Sequence, residues 1–168
     1  MDAKHFFDSI EYFGNLCRRN KLAVAHDFHF CSCSGIESLE GPLEEFRRKK
    51  AFFCVDDTND GALFQGRGGG FYKKRTYTVF LMHRYEFGDM SDRRDKLAIC
   101  RDLFSQLVSR MIVDADDMSN EQVYLETGNI MSRELGQYFM NGCTGLYFMI
   151  DVSEPVDLVF DNTQWIAD

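Results

Sequence analysis

Proline is almost missing from this chain, with two in 168 residues, and tryptophan occurs once. So few prolines leave no Pro/Ser-rich linker. The composition does not shift along the sequence either, so one domain over 1–168 is expected. No apolar run approaches the ~20 residues that span a bilayer, so no membrane partner is expected. The first residues, Met1-Asp2-Ala3-Lys4-His5, are polar and acidic and do not read as a signal peptide. The six cysteines are therefore expected as free thiols in a reducing compartment.

Positive charge is also scarce. Lys and Arg number 19 against 27 Asp and Glu, a formal net charge of -8. Nucleic acid is gripped by clustered cations that release counterions. Only Arg47-Arg48-Lys49-Lys50 and Lys73-Lys74-Arg75 are dense, and both are short. Each reads as a solvated face, and no specific nucleic-acid binding is expected.

Catalytic fingerprints are missing too. Cys31-Ser32-Cys33, with His26 and His29 upstream, is the sharpest local feature. Structural zinc uses two pairs with wider spacing, and no second pair follows. A redox pair prefers two intervening residues at a helix start. Gly66-Arg67-Gly68-Gly69-Gly70 leads into Phe71-Tyr72-Lys73-Lys74-Arg75 and a strand, not the helix that a phosphate loop requires. His83 falls on the apolar face of a strand without a nucleophile elbow, which reads as a core histidine. Asp114-Ala115-Asp116-Asp117 lacks the spacing and glycine of a calcium loop. No catalytic residue, metal or cofactor is expected.

Aromatic residues are abundant at 14%, mostly 16 Phe, which predicts a well-filled core or a core plus a buried partner surface. Residues 3–19 read as a helix with Asp2 as N-cap and Phe6, Ile10, Phe13 and Cys17 on one face. Residues 21–30 alternate as a half-buried strand. A loop over 31–41 precedes a short helix with Pro42 at its first position. Residues 51–55 and 62–65 read as strands around an Asp60-Gly61 reversal. Four glycines among residues 66–70 predict a flexible loop.

The organising unit is a long strand, 75–87, followed by one amphipathic helix, 91–113. On the strand, Tyr77, Val79, Leu81, His83, Tyr85 and Phe87 should face the core. The helix should start at Ser91 as N-cap and bury Leu97, Cys100, Phe104, Leu107 and Met111. An acidic loop over 114–120 follows. Residues 130–140 and 145–152 read as a hairpin around Asn141-Gly142. Pro155 marks an edge or an exit, with peripheral strands at 156–160 and 164–166. The fold class is α+β, a mixed, mainly antiparallel sheet packed on the long helix and the N-terminal helix.

The strand at 75–87 leading into the helix at Ser91 carries a family likeness. So does the pair Glu134-Leu135-Gly136-Gln137-Tyr138-Phe139 and Gly145-Leu146-Tyr147-Phe148-Met149-Ile150-Asp151-Val152. The element order resembles the phage tail-terminator and tail-completion type of neck protein, small acidic α+β subunits that form rings at the head–tail junction. The resemblance implies a non-enzymatic virion protein, made in the host cytoplasm. Its partners would be copies of itself in a ring and other neck, portal or tail proteins, with DNA passing through. The family has no catalytic motif to carry over. Residues 31–50 and the segment after Pro155 depart from its simplest form. In a ring subunit, Gly66, Arg67, Gly68, Gly69 and Gly70, with Lys73, Lys74 and Arg75, would form an interaction arm that orders against a neighbour. Two other readings stand beside it. One is a thiol or Cys/His metal enzyme built on residues 26–33. The other is a monomeric binding module with an apolar groove beside the central strand.

Overall fold

The computed structural model describes residues 7–45, 47–136 and 142–166. The chain is α+β. Helices α1 (Ser9–Arg19) and α2 (Lys21–Ala25) lead into strand β1 (Phe28–Cys33). A 3-10 turn at Ile36–Ser38 and helix α3 (Glu40–Glu45) follow. Strands β2 (Ala51–Asp56), β3 (Asp60–Gln65) and β4 (Phe71–Arg84) precede helix α4 (Met90–Asn120). Strands β5 (Tyr124–Leu125), β6 (Met131–Glu134) and β7 (Cys143–Val156) complete the sheet.

The seven strands form one sheet in the order β1-β2-β4-β7-β5, with β3 on β4 and β6 on β7. Only β1 and β2 run parallel; every other pair is antiparallel. β4 and β7 pair over 14 residues each and form the spine. β2 and β3 share one flank of β4, β2 along 79–83 and β3 along 71–76.

Odd-numbered positions of β4 face α1 and α4, as the alternation predicts, but the strand runs from Phe71 to Arg84 rather than over 75–87, and Phe87, expected on the core face, lies beyond it and is exposed. Tyr77, Val79 and Leu81 join Phe53, Phe148, Phe13, Leu103 and Leu107 in the main core. Phe80 and Met82, on the other face, are buried as well. They meet Leu39, Leu43, Phe52, Cys54 and Leu135 in a second, smaller core. Five consecutive buried residues in β4, 79–83, therefore have a core on each side.

Several boundaries differ from the sequence reading. The N-cap of α1 is Asp8, whose carboxylate accepts from Glu11 N at 3.0 Å. Asp2 and residues 3–6 lie outside the described residues. Residues 21–25 are helical, not extended. Asn20 caps α2 by accepting from Ala23 N at 2.8 Å, and two alanines in five residues favour the helix. Asp27, at φ 50, then turns the chain into β1. Pro42 falls inside the first turn of α3, where its missing N–H leaves no bond unmade.

Helix α4 begins on Asp89, not Ser91. The Asp89 carboxylate accepts from both Ser91 N and Asp92 N at 3.0 Å. It also runs to Asn120, so the residues expected as an acidic loop form its last turns. Asp114 continues the buried stripe of Leu97, Cys100, Leu103, Leu107 and Met111. It accepts the Tyr12 hydroxyl at 3.0 Å and pairs with Arg110 at 2.5 Å. Burial, reinforced by the Asp114 charge, raises the Tyr12 pKa, so the phenol stays protonated and keeps donating. Asp114→Ala removes a partner from a buried donor and is expected to cost about 1–3 kcal/mol in denaturant unfolding. Asp114→Asn, which keeps an acceptor, should cost less.

The C-terminal pair differs from its pattern: β7 runs from Cys143 to Val156, beyond the 145–152 expected, while 135–136 of the first expected strand are not part of a strand. β6 spans only Met131–Glu134, and residues 137–141, including Asn141 of the expected turn, lie outside the described residues. Pro155 sits within β7, opposite Tyr72, rather than beyond the strand. The peripheral strands expected after it are not formed: 157–161 has no regular structure and Asn162–Gln164 is a 3-10 turn.

Candidate functional site

The β3–β4 hairpin and the segment after β7 carry the chain's most conspicuous unspent surface. β3 pairs only with β4 among the described residues, and all six of its residues are exposed. Its outer edge therefore presents unpaired backbone N–H and C=O groups, a template for an added strand. Residues 66–70 form the hairpin loop, closed by Gly66 N donating to Gly70 O at 2.8 Å and Gly69 N donating to Gly66 O at 3.0 Å. Gln65 Nε2 also donates to Gly69 O at 3.0 Å. Gly69 has φ +89, a conformation that glycine adopts without strain.

The structure places Lys73, Lys74 and Arg75 on β4 directly beyond this loop, on alternating faces. Lys74 Nζ pairs with Asp151 at 3.0 Å, and Thr76 Oγ1 donates to the same carboxylate. Lys73 stands opposite Leu63 and points to the helix side, as does Arg75. The opposite face carries an aromatic strip. Phe64 stacks on Tyr72 with ring centres 5.5 Å apart, and Tyr72 meets Tyr124 edge-on at 6.1 Å. Leu63, Phe64, Phe71 and Tyr124 are all exposed. The eight expected interaction residues thus share one hairpin, joined by apolar residues the sequence reading did not assign to it.

The C-terminal segment was legible only as peripheral strand. It exposes Val159 (83%), Phe160 (72%), Trp165 (69%) and Ile166 (98%), together with Leu158. Its local shape comes from side-chain caps: Asp157 accepts from Val159 N at 2.9 Å and Asp161 from Thr163 N at 2.9 Å. Phe160 and Trp165 stack on each other at 6.1 Å rather than on the body. Apolar exposure this concentrated is of the kind that interaction surfaces carry.

The other sequence candidates fall elsewhere. Cys31 stands beside Cys54 in the β1–β2 register, and Cys33 lies on the same face. The Cys54 thiol hydrogen-bonds both neighbours, which raises its pKa; Cys31, as acceptor of that bond, is lowered. Cys54 lies more than twenty residues from the Cys-Ser-Cys run and carried no sequence signal. His26 is parted from this cluster and lies edge-on to His83 at 6.3 Å. Among the described residues no group of three or more His, Cys, Asp or Glu side chains is arranged to hold a metal ion. All six cysteines are free. Burial pushes Cys17 up to about 11 and Cys100 up to about 12. No helix among the described residues is long and apolar enough to cross a membrane.

His83 is buried under the α4 start. Its Nδ1 lies 2.7 Å from Arg84 O, and since a carbonyl only accepts, Nδ1 carries the proton. Burial lowers its pKa from 6.5, with Lys96 and His26 acting the same way; the Arg84 carbonyl and Asp92 oppose. His29 is lowered too, mainly by burial. For a depressed histidine the unfolded chain takes the proton first, so stability is full above 6.5 and is lost as pH falls through the folded value. Thermal melting is therefore expected to weaken from pH 7.5 to 5.5, and His83→Gln should flatten that slope. A slope unchanged in the variant would remove this role.

Compared with known protein families and with curated proteins, the chain matches none.

Proposed function

We propose that the chain is a non-enzymatic structural subunit that assembles with copies of itself into a ring of the neck, adaptor or tail-terminator kind joining a phage head to its tail. One observation carries the assembly reading: among the described residues the outer edge of the hairpin pairs with no strand, and the C-terminal segment exposes its apolar residues. The two are complementary. The hairpin brings Arg67, Lys73 and Arg75, beside Lys74, which Asp151 already engages; the segment brings Asp157 before Leu158-Val159-Phe160 and Asp161 between that run and Trp165-Ile166. A second copy of the chain supplies both the strand and the surface, and the acids meet the bases.

Such a contact is heterologous, since one patch meets a different patch on the next copy. Heterologous contacts close into rings when the rotation is right. The phage setting rests on the element order of the central strand, long helix and C-terminal pair. Negative-stain microscopy of the purified protein is expected to show closed rings, and portal, capsid or tail genes should flank its gene. Particles without rotational symmetry and a neighbourhood of unrelated genes would remove this reading.

A further inference from the structure

The basic run Arg47–Lys50, expected as a solvated face, is exposed at Arg47, Arg48 and Lys50 and also lines an open cleft. Arg84 fixes the loop between α3 and β2: its Nε donates to Lys49 O at 3.0 Å and its Nη2 to Leu43 O at 2.8 Å. Its guanidinium also lies 5.3 Å from the centre of the Phe52 ring. The fixed loop faces the first turns of α4 across a cleft of about 420 Å³. Six guanidinium or ammonium groups line this cleft against two carboxylates, Glu86 and Asp92. In a chain of net charge -8 that is a local reversal of sign.

Most of these cations already have partners. Arg47 pairs with Glu44, Lys49 with Asp27 at 3.1 Å and Lys96 with Asp92 at 3.6 Å. Asp92 is further engaged by Glu86 N at 2.7 Å, so it has little left to offer the rest of the cleft. Arg48 and Lys50 are exposed and pair with no carboxylate among the described residues. A concave wall of one sign focuses its field on the space it encloses. A guanidinium binds phosphate oxygens in pairs, and an ammonium adds a point charge.

We propose that this cleft binds a phosphate group, held by Arg48 and Lys50 with Lys96 on the opposite wall. Phosphate fits better than a carboxylate because its second charge and extra oxygens answer two unspent cations. A cleft of this size accepts the group and the start of whatever it is attached to. That attachment is a small phosphorylated molecule or a nucleic-acid backbone, and the same experiment separates them.

Inorganic pyrophosphate and a labelled single-stranded oligonucleotide are titrated into the full chain by calorimetry and anisotropy at low and high salt. The double variant Arg48→Glu/Lys50→Glu and the control Lys21→Glu, a charge reversal on α2, are compared. The expected result is salt-sensitive pyrophosphate binding weakened about tenfold or more by the double variant and unchanged by the control. Oligonucleotide binding with the same sensitivity identifies a nucleic-acid backbone; its absence identifies a small phosphorylated ligand. Should the reversal disturb folding, Arg48→Gln/Lys50→Gln serves in its place. No pyrophosphate binding, or binding that both variants leave equal, overturns the proposal.

Discussion

Gly145→Ala is expected to abolish the fold or to lower Tm by about 10 °C or more. Gly145 lies in β7 opposite Met82, near the end of the long β4–β7 pairing that the buried stretch of β4 occupies. Its φ is +142, and a Cβ there would sit 1.9 Å from the Leu81 carbonyl oxygen and 3.0 Å from the Leu81 carbon. These are backbone atoms of a strand flanked on both sides, so they cannot swing away as a side chain could. Relief would require parting the strands where Phe80, Leu81 and Met82 meet both cores. The loss is therefore set at about 4 kcal/mol or more, a large share of the 5–15 kcal/mol that a domain holds. Gly41→Ala is the control. Nothing lies within 4 Å of its Cβ position and the site is helical. It should be neutral or stabilise by about 0.5–1 kcal/mol. Comparable losses at both positions would show that the close approach at Leu81 does not govern the sheet.

The second large effect is on assembly. Phe160→Asp/Trp165→Asp is expected to weaken each subunit contact by about 100-fold or more, since buried aromatic anchors dominate interfaces. The stability of the single chain should hardly change, because both side chains are exposed and touch each other rather than the core. Lys73→Glu/Arg75→Glu on the hairpin should give the same dissociation. If acids on the segment meet bases on the hairpin, Asp157→Lys/Asp161→Lys in the same chain should restore part of it. Dissociation by the aromatic variant without any response to the charge variants would move the contact off the hairpin.

The fold was largely readable because its signals are long. A long β-branched and aromatic run in β4 and a sustained apolar stripe in α4 each outweigh local noise. Where the reading failed, a local residue misled. Leu22 and Val24 alternate as a strand would, yet Asn20 caps a helix there, and Asp27, at φ 50, turns the chain out of it. Asp114 ends the apolar run on paper; in the fold its carboxylate is buried because Tyr12 and Arg110, one of them 102 residues away, satisfy it. Pro155 suggested an edge or an exit; it is not an exit, since β7 carries it opposite Tyr72, and among the described residues β4 is the one strand that pairs with β7 there, as at an edge.

The surface was less legible, since its groups are joined only by folding. The glycine loop and its basic exit could be named from sequence. The aromatic strip could not, because Phe64, Tyr72 and Tyr124 come from three strands. Cys54 and the cleft behind Arg48 and Lys50 were hidden in the same way. The second core was missed because Phe80 and Met82 lie on a face that alternation assigns to solvent, and α3 covers it from forty residues upstream.

Light scattering coupled to size exclusion tests the central claim most directly. The account predicts a molar mass that is an integral multiple of one chain and falls to that of one chain in Phe160→Asp/Trp165→Asp. A wild-type protein that stays a single chain at every concentration, with and without neck or tail partners, would contradict it.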